Sequence, residues 1–139
     1  MNSPTPNFEY EKDRARFRVF YENGDSEDMA VTKIGPDLYR LEESLFVGDA
    51  VYGDVIRCKP TKDGSWLFEE IVERSKLKTQ TCIMSRELLA SDAVRSILDS
   101  VMEAGGMWEQ VFGGVLIVHT PAEITEAVSD RLKKAALMI

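Results

Sequence analysis

The single histidine of the chain, His119, is the side chain best suited to act as a base near neutral pH. Ser-His-Asp and Cys-His chemistry need such a base beside a nucleophile and a carboxylate. His119 ends an apolar strand, where a histidine is more often satisfied by the backbone. Asp49 and Asp54 flank Tyr52 in a turn-rich stretch and could place two acids around a cleft. We favour the interpretation in which both aspartates are turn residues, and we predict no catalytic residue.

The cysteines do not form a metal site. Cys58 and Cys82 lie far apart in sequence, each within an apolar segment. With one histidine in the chain, neither the C-x-x-C nor the H-x-x-x-H spacing of a zinc site occurs. No phosphate-binding loop is present either, because Gly105-Gly106 follows a predicted helix and does not precede one. We expect two reduced, buried thiols, no metal and no cofactor.

The charge of the chain favours a basic protein as its partner. The 139 residues include 24 acidic and 17 basic side chains, which gives a net charge of −7. This acidity disfavours nucleic acid, whose phosphates are neutralised by Lys and Arg. It fits a basic protein partner, because complementary potentials steer the encounter. It fits equally well a charge that serves solubility alone. No apolar run approaches the roughly 20 residues of a membrane helix, and the first residues lack a signal-peptide pattern. The sequence therefore predicts a cytoplasmic protein that binds no membrane.

Short apolar segments separated by turn residues predict strands in the first half. Phe17, Val19 and Tyr21 alternate on one strand face, and Asn23-Gly24 is a strong hairpin signal. Residues 1–12 are expected to form a flexible tail. Residues 13–76 are expected to form a bent antiparallel sheet or a small β-barrel. The predicted strands are 16–22, 28–34, 38–42, 55–58 and 66–73.

The second half changes to a helical period. A strand over 78–84 precedes an apolar stripe with helical spacing, which Ser91 can cap. A hairpin follows, and Thr120 is predicted to cap a second helix through the amide of Glu123. Residues 77–139 thus read as a ferredoxin-like β-α-β-β-α unit. The predicted class is α+β, with the two lobes in one continuous domain. The helical stripe consists of Val94, Ile97, Leu98, Val101 and Met102.

Three short motifs resemble the bacterial family catalogued as domain of unknown function 4265. They are Tyr39-Arg40-Leu41-Glu42, Tyr52-Gly53-Asp54-Val55 and Ile71-Val72-Glu73-Arg74-Ser75, in this order. The similarity runs from about residue 39 to the end of the chain. It implies a bacterial source and the architecture above, and the family itself has no established function.

Three functions are compatible with these observations. The first is a non-catalytic module that binds a protein, with a small acidic immunity protein that neutralises a toxin as its concrete form. The second is a small-ligand sensor that pairs as a homodimer. The third is a hydrolytic enzyme using Asp49 or Asp54 with His119. We favour the first, with Trp66 as an aromatic anchor among carboxylates. A tryptophan beside a turn more often covers the edge of the core, and this alternative stays open for Trp66. The candidate binding residues are Tyr52, Asp54, Trp66, Glu69, Glu70, Glu73 and Arg74.

Overall fold

The computed structural model describes residues 13–137, so the tail predicted for residues 1–12 lies outside the described residues. The chain divides into two compact units, one within Met1–Ser75 and the other within Lys76–Ile139. Strands predominate and helices occur in the second unit, which confirms the predicted α+β class. No helix in residues 13–137 is long and apolar enough to cross a membrane.

The first unit is a closed barrel of five strands. Consecutive strands pair antiparallel, beginning with the predicted hairpin at Asn23-Gly24. The barrel closes where β1 meets β5 in a short parallel pairing of Val19 with Trp66 and Phe20 with Leu67. The strands are β1 (Arg14–Phe20), β2 (Ser26–Gly35), β3 (Leu38–Leu41), β4 (Val55–Pro60) and β5 (Trp66–Glu73).

Alternation along the strands fills the barrel. Val19 is buried and its neighbours Phe17 and Tyr21 pack against the same core, as the period of two predicts. The register between β4 and β5 shifts between Val55 and Ile56 and again between Arg57 and Cys58. Such bulges bend the strands, which helps a short sheet to close. The buried core consists of Val19, Met29, Val31, Tyr39, Leu41, Leu45, Ala50, Ile56 and Cys58.

The second unit is a three-stranded antiparallel sheet with helices. The strands lie in the order β6-β8-β7, so the two strands of the hairpin are adjacent and β6 pairs with the other side of β8. A short helix, α1, was not predicted; its start is capped by the Ser85 hydroxyl. The elements are β6 (Lys78–Ile83), α1 (Arg86–Leu89), α2 (Asp92–Glu103), β7 (Met107–Val111), β8 (Val115–Thr120) and α3 (Ala122–Leu137).

The helix α2 begins and packs largely as predicted. The Ser91 hydroxyl accepts the amide of Val94 at the helix start. Four of the five stripe residues are buried, whereas Met102 is about half exposed, which corrects its assignment to the core. The core of this unit joins α1, α2 and α3 to one face of the sheet. It includes Leu89, Val94, Ile97, Leu98, Val101, Leu116, Val118, Val128 and Leu132.

The predicted cap of α3 is wrong. Thr120 is the last residue of β8, and its hydroxyl bonds the Thr125 hydroxyl at 2.7 Å. The Thr125 hydroxyl in turn donates to the Pro121 carbonyl at 3.0 Å. The side chain of Thr120 therefore reaches across the first turn to another side chain, so it does not cap the amide of Glu123.

Candidate binding surface on the loop between β3 and β4

The only histidine is buried between two side chains. His119 Nε2 lies 2.6 Å from Glu109 Oε2, and Nδ1 lies 2.8 Å from Thr79 Oγ1. Because a carboxylate can only accept, the ring carries hydrogen on Nε2, and in the neutral ring Nδ1 accepts the Thr79 hydroxyl. Two side chains thus engage the two ring nitrogens, whereas the sequence favoured a histidine satisfied by the backbone. This arrangement ties β6 and β7 together across β8.

The acids named with His119 in the enzyme hypothesis have their own partners in the first unit. Asp54 is fully buried, and its carboxylate accepts the amides of Val51 at 3.0 Å and Ser75 at 2.7 Å. Arg74 Nη1 lies 3.1 Å from Asp54 Oδ2 and also donates to the Asp49 carbonyl at 3.2 Å. These bonds hold a long connection in place, which agrees with the interpretation of the aspartates as turn residues.

Residues 42–54, the connection from β3 to β4, form a segment that we call the Phe46 loop. Its ends are tied together, since the Leu41 amide donates to the Asp54 carbonyl and the Gly53 amide to the Leu41 carbonyl. Within the loop the Tyr52 amide donates to the Ser44 hydroxyl at 3.1 Å. The loop thus carries the predicted residues Tyr52 and Asp54, and the predicted Arg74, which follows β5, contacts the loop through Asp49 and Asp54.

A carboxylate from the neighbouring strand fixes the middle of the Phe46 loop. Glu27 on β2 accepts the amides of Phe46 at 3.0 Å, Val47 at 3.2 Å and Gly48 at 2.9 Å. It also accepts the Tyr21 hydroxyl. Three successive amides that converge on one carboxylate define the path of the backbone at this point.

The electrostatics agree with an ionised Glu27. Burial acts to raise its pKa, but the hydrogen bonds from Tyr21, Phe46, Gly48 and Val47 outweigh burial and hold the pKa below its ordinary 4.5. For Tyr21, burial and then the bond to Glu27 raise the pKa above its ordinary value. Both groups are therefore held in the forms that this hydrogen bond needs, a phenol and a carboxylate.

Two glycines let the Phe46 loop follow this path. A Cβ on Gly48 would lie 2.6 Å from the Tyr21 hydroxyl, so any side chain there would displace the tyrosine that bonds Glu27. Gly53 has φ +88°, a conformation that side chains rarely adopt. The sequence marks both positions as turns, but only the structure shows what each contacts.

The fixed loop presents two apolar side chains to solvent. Phe46 is 56% exposed and Val47 is 48% exposed, while their neighbours Leu45 and Ala50 are buried in the barrel core. The Leu45 amide donates to the Ala50 carbonyl at 3.0 Å, which closes the loop beneath them. The candidate binding surface is therefore Phe46 and Val47 with the exposed Asp49 and Arg74 beside them.

Trp66, the candidate anchor, is built into the edge of the barrel core, the position that the sequence also allowed for it. Its ring stacks on Phe17 with centroids 4.7 Å apart and meets Tyr39 edge-on at 5.9 Å. It packs against the buried core and remains partly exposed. The role of Trp66 as a binding anchor stays a prediction.

Two of the three carboxylates predicted around Trp66 have basic partners. Glu70 pairs with Arg57 at 3.2 Å and Glu69 with Lys59 at 3.7 Å, in both cases across the β4–β5 ladder. Surface pairs of this kind contribute about 0–1 kcal/mol, but they neutralise part of the acidic face. Glu73 is exposed at the far end of β5, opposite Val55. The predicted residues thus fall into two groups, one on the Phe46 loop and one along β5.

Phe46 and Val47 were missed by sequence reasoning. An apolar Phe-Val pair between Ser44 and Gly48 resembles a short strand, and the sequence contains no sign that Glu27, some twenty residues earlier, holds its backbone. A signal was present nonetheless, because the pair lies in a stretch rich in turn residues without strand alternation. Within residues 13–137, no group of three or more His, Cys, Asp and Glu side chains is placed to hold a metal ion.

Comparison with known proteins shows a similarity in fold to a solved structure. No family model matches the chain, and no curated protein matches it. A solved structure titled "Novel crystal structure of a hypothetical protein from Neisseria gonorrhoeae" is similar over 87% of this chain and 85% of its own, with a TM-score of 0.55 and 15% identity. At this identity the similarity shows the fold alone.

Proposed function

We propose that this protein is a non-catalytic, cytoplasmic protein-binding module whose recognition element is the Phe46 loop. The observation that carries the proposal is the exposure of Phe46 and Val47 on a backbone held by the Glu27 carboxylate. An apolar pair on an ordered loop is costly to leave in water, and a partner that buries it removes that cost.

The fixed backbone favours binding for an entropic reason. A mobile loop loses conformational freedom when a partner orders it, which subtracts from the affinity. The hydrogen bonds from three backbone amides to Glu27 order the Phe46 loop before any partner binds. An aromatic ring such as that of Phe46 is also of the residue class that is enriched in the buried core of protein interfaces.

The partner that fits this protein has an apolar pocket and a net positive charge. The chain carries a net charge of −7, whereas beside the apolar pair the exposed Asp49 carboxylate lies 3.8 Å from Arg74 Nη2, so the charge argument rests on the chain as a whole. Complementary charge would steer the encounter. A small acidic immunity protein that neutralises a basic toxin is the concrete form of this proposal.

The enzyme hypothesis has less geometric support. Both ring nitrogens of His119 are engaged by Thr79 and Glu109, and the Asp54 carboxylate is engaged by Arg74 and two amides. A general base needs a free position from which to take a proton from the substrate. The ligand-sensor hypothesis stays a prediction, for which no contact in residues 13–137 argues specifically.

We also infer that the second unit is a ferredoxin-like unit and that the chain is a divergent member of the bacterial family named above. The inference of the fold is supported by the strand order β6-β8-β7 and by helices that follow β6 and β8. The family assignment rests on the three short motifs of the first unit.

Affinity capture from the native host tests the proposed function. Tagged wild type should retain a partner that is identified by mass spectrometry, and the double variant Phe46→Ala/Val47→Ala should lose it. Val72→Ala is the matched control, because Val72 is 44% exposed on β5, close to the exposure of Val47. A partner retained by the double variant would show that another surface binds.

A further inference from the structure

The strand β6 has one free edge within the described residues. It pairs with β8 on one side, and the sheet order β6-β8-β7 leaves its other side without a strand from residues 13–137. Edge strands present unpaired amides and carbonyls, which can pair with another strand. Four of the six residues of β6 are exposed, including Ile83 at 86%.

The register shows which backbone groups face the free edge. The Met84 amide donates to the Gly114 carbonyl, so it points toward β8. Since successive residues of a strand direct their amides to opposite sides, the amides and carbonyls of Thr79, Thr81 and Ile83 point away from β8. These three residues form a ready-made ladder of donors and acceptors.

A groove runs along the same edge between β6 and α3. One part is lined by Lys78 and Gln80 with the start of α3, and the next part by Cys82 and Ile83 with its end. The helix therefore runs beside β6 in the same direction. Gln80 Nε2, which lies in the groove, is buried and has no hydrogen-bond partner within residues 13–137. A buried donor of this kind indicates a missing acceptor.

The charges that line the groove are self-complementary. Glu126 lies in the first half of α3 and Asp130 at its middle, whereas Lys133 lies near its end and Lys78 lies on β6. All four are exposed, and in the part of the chain that the structure describes none of them has an ion-pair partner. Two acids and two bases suit an isologous contact, in which each copy supplies both members of every pair.

We propose that a second copy of this chain adds its β6 antiparallel to this edge, around a twofold axis at Thr81. Thr81 then pairs with the second copy's Thr81, and Thr79 pairs with the second copy's Ile83. All the outward-pointing groups of β6 find partners in this register. The two three-stranded sheets become one continuous sheet of six strands.

The same twofold axis brings the charged side chains and Gln80 of the groove next to those of the second copy. Because α3 runs with β6, reversing β6 reverses α3, so Glu126 in the first half of one helix faces the last half of the other, where Lys133 lies. The two Gln80 side chains become diagonal neighbours, about 7–8 Å apart at their Cα atoms, which is within reach for long side chains. Each carboxamide can then accept from the other's Nε2 group.

Sedimentation velocity over a range of protein concentrations tests this pairing. Wild type should show a monomer–dimer equilibrium. Thr81→Lys places two like charges directly opposite each other at the axis and should weaken self-association about tenfold or more. Thr81→Val keeps the amide and the size of the side chain, so it should associate like wild type. A monomeric wild type, or a dimer indifferent to Thr81→Lys, would overturn the proposal.

Hydrogen exchange on the wild type gives a second readout that does not depend on the folding of a variant. The amides of Thr79, Thr81 and Ile83 should exchange more slowly as the protein concentration rises. The Phe46 loop lies in the other unit and serves as the internal reference. Exchange at β6 that is independent of concentration would contradict the pairing. Because the Phe46/Val47 variants leave β6 unchanged, this result is separable from the proposed function.

Discussion

Glu27 Oε2 on strand β2 accepts the amide of Gly48 at 2.9 Å, which connects a strand of the barrel to the loop that carries Phe46. The bond joins residues far apart in sequence, and the Phe46 and Val47 amides reach the same carboxylate. The exposed apolar pair is therefore positioned by the barrel as well as by the local turn that the Leu45–Ala50 hydrogen bond closes. The proposed recognition surface depends on this one acidic side chain.

Replacing the Glu27 carboxylate with an amide should loosen the loop. In Glu27→Gln the side chain keeps its size but loses its charge. Its NH₂ group can only donate, so it cannot accept the hydrogen bonds that one carboxylate oxygen accepts in wild type. We expect a loss of about 1–3 kcal/mol in the free energy of unfolding, measured by urea denaturation. Glu22→Gln, a change at an exposed carboxylate of the β1–β2 turn, is the control and should have little effect. If the two variants had equal urea denaturation midpoints, the hydrogen bonds from the loop amides to Glu27 would contribute no stability.

At acidic pH the difference in unfolding free energy between wild type and Glu27→Gln should decrease. The folded pKa of Glu27 lies below its ordinary 4.5, so the ionised group stabilises the fold above that pH. This contribution is lost as the pH falls through the folded pKa. The difference in unfolding free energy between the two proteins, followed from about pH 7 to about pH 3, should therefore shrink. A difference that stays constant or grows on acidification would contradict the assignment.

The two cysteines should differ in reactivity. Burial raises the pKa of the fully buried Cys58 thiol to about 12. Cys82 is partly exposed, which corrects the expectation that both thiols are buried. Burial still raises its pKa, although Lys133 acts in the opposite direction. The thiolate is the reactive form, so a thiol reagent should modify Cys82 first and Cys58 only on unfolding. A Cys82→Ser variant should lose the fast phase, and a fast phase that persists would place the reactive thiol at Cys58.

Two substitutions of Trp66 distinguish a structural role of this residue from a binding role. Trp66→Ala removes the stacking on Phe17 and part of the packing of the core, and we expect it to cost about 2–4 kcal/mol. Trp66→Phe retains an aromatic ring and should remain folded and bind the captured partner as wild type does. If Trp66→Phe abolished binding while its denaturation midpoint stayed close to that of wild type, the anchor would be Trp66 after all.

The sequence predicts the elements of this fold better than it predicts the site. The alternation of Phe17, Val19 and Tyr21 and the helical spacing of Val94, Ile97 and Leu98 are local patterns, and the structure follows them. Thr120 shows the limit of local patterns. The sequence around it predicts a helix cap, but in the structure its hydroxyl forms a hydrogen bond with the Thr125 hydroxyl.

The site depends on contacts that no local pattern encodes. The Phe46 loop is held by Glu27 from β2, and Asp54 within it is held by Arg74 and the Ser75 amide after β5. Sequence reasoning placed Tyr52, Asp54 and Arg74 among the candidate residues but could not show that Phe46 and Val47 lie on the loop that they hold. Exposure of an apolar side chain is a tertiary property, since it depends on what the rest of the chain leaves uncovered.

The dissociation rate of the complex with the captured partner tests the central claim most directly. Phe46→Ala removes the ring that the partner is proposed to bury and should speed dissociation about 30-fold or more, because anchor residues act mainly on the off-rate. Val72→Ala, the matched exposed position on β5, should leave the rate within about twofold. Rates that are the same for Phe46→Ala and wild type would contradict the claim that the Phe46 loop is the recognition element.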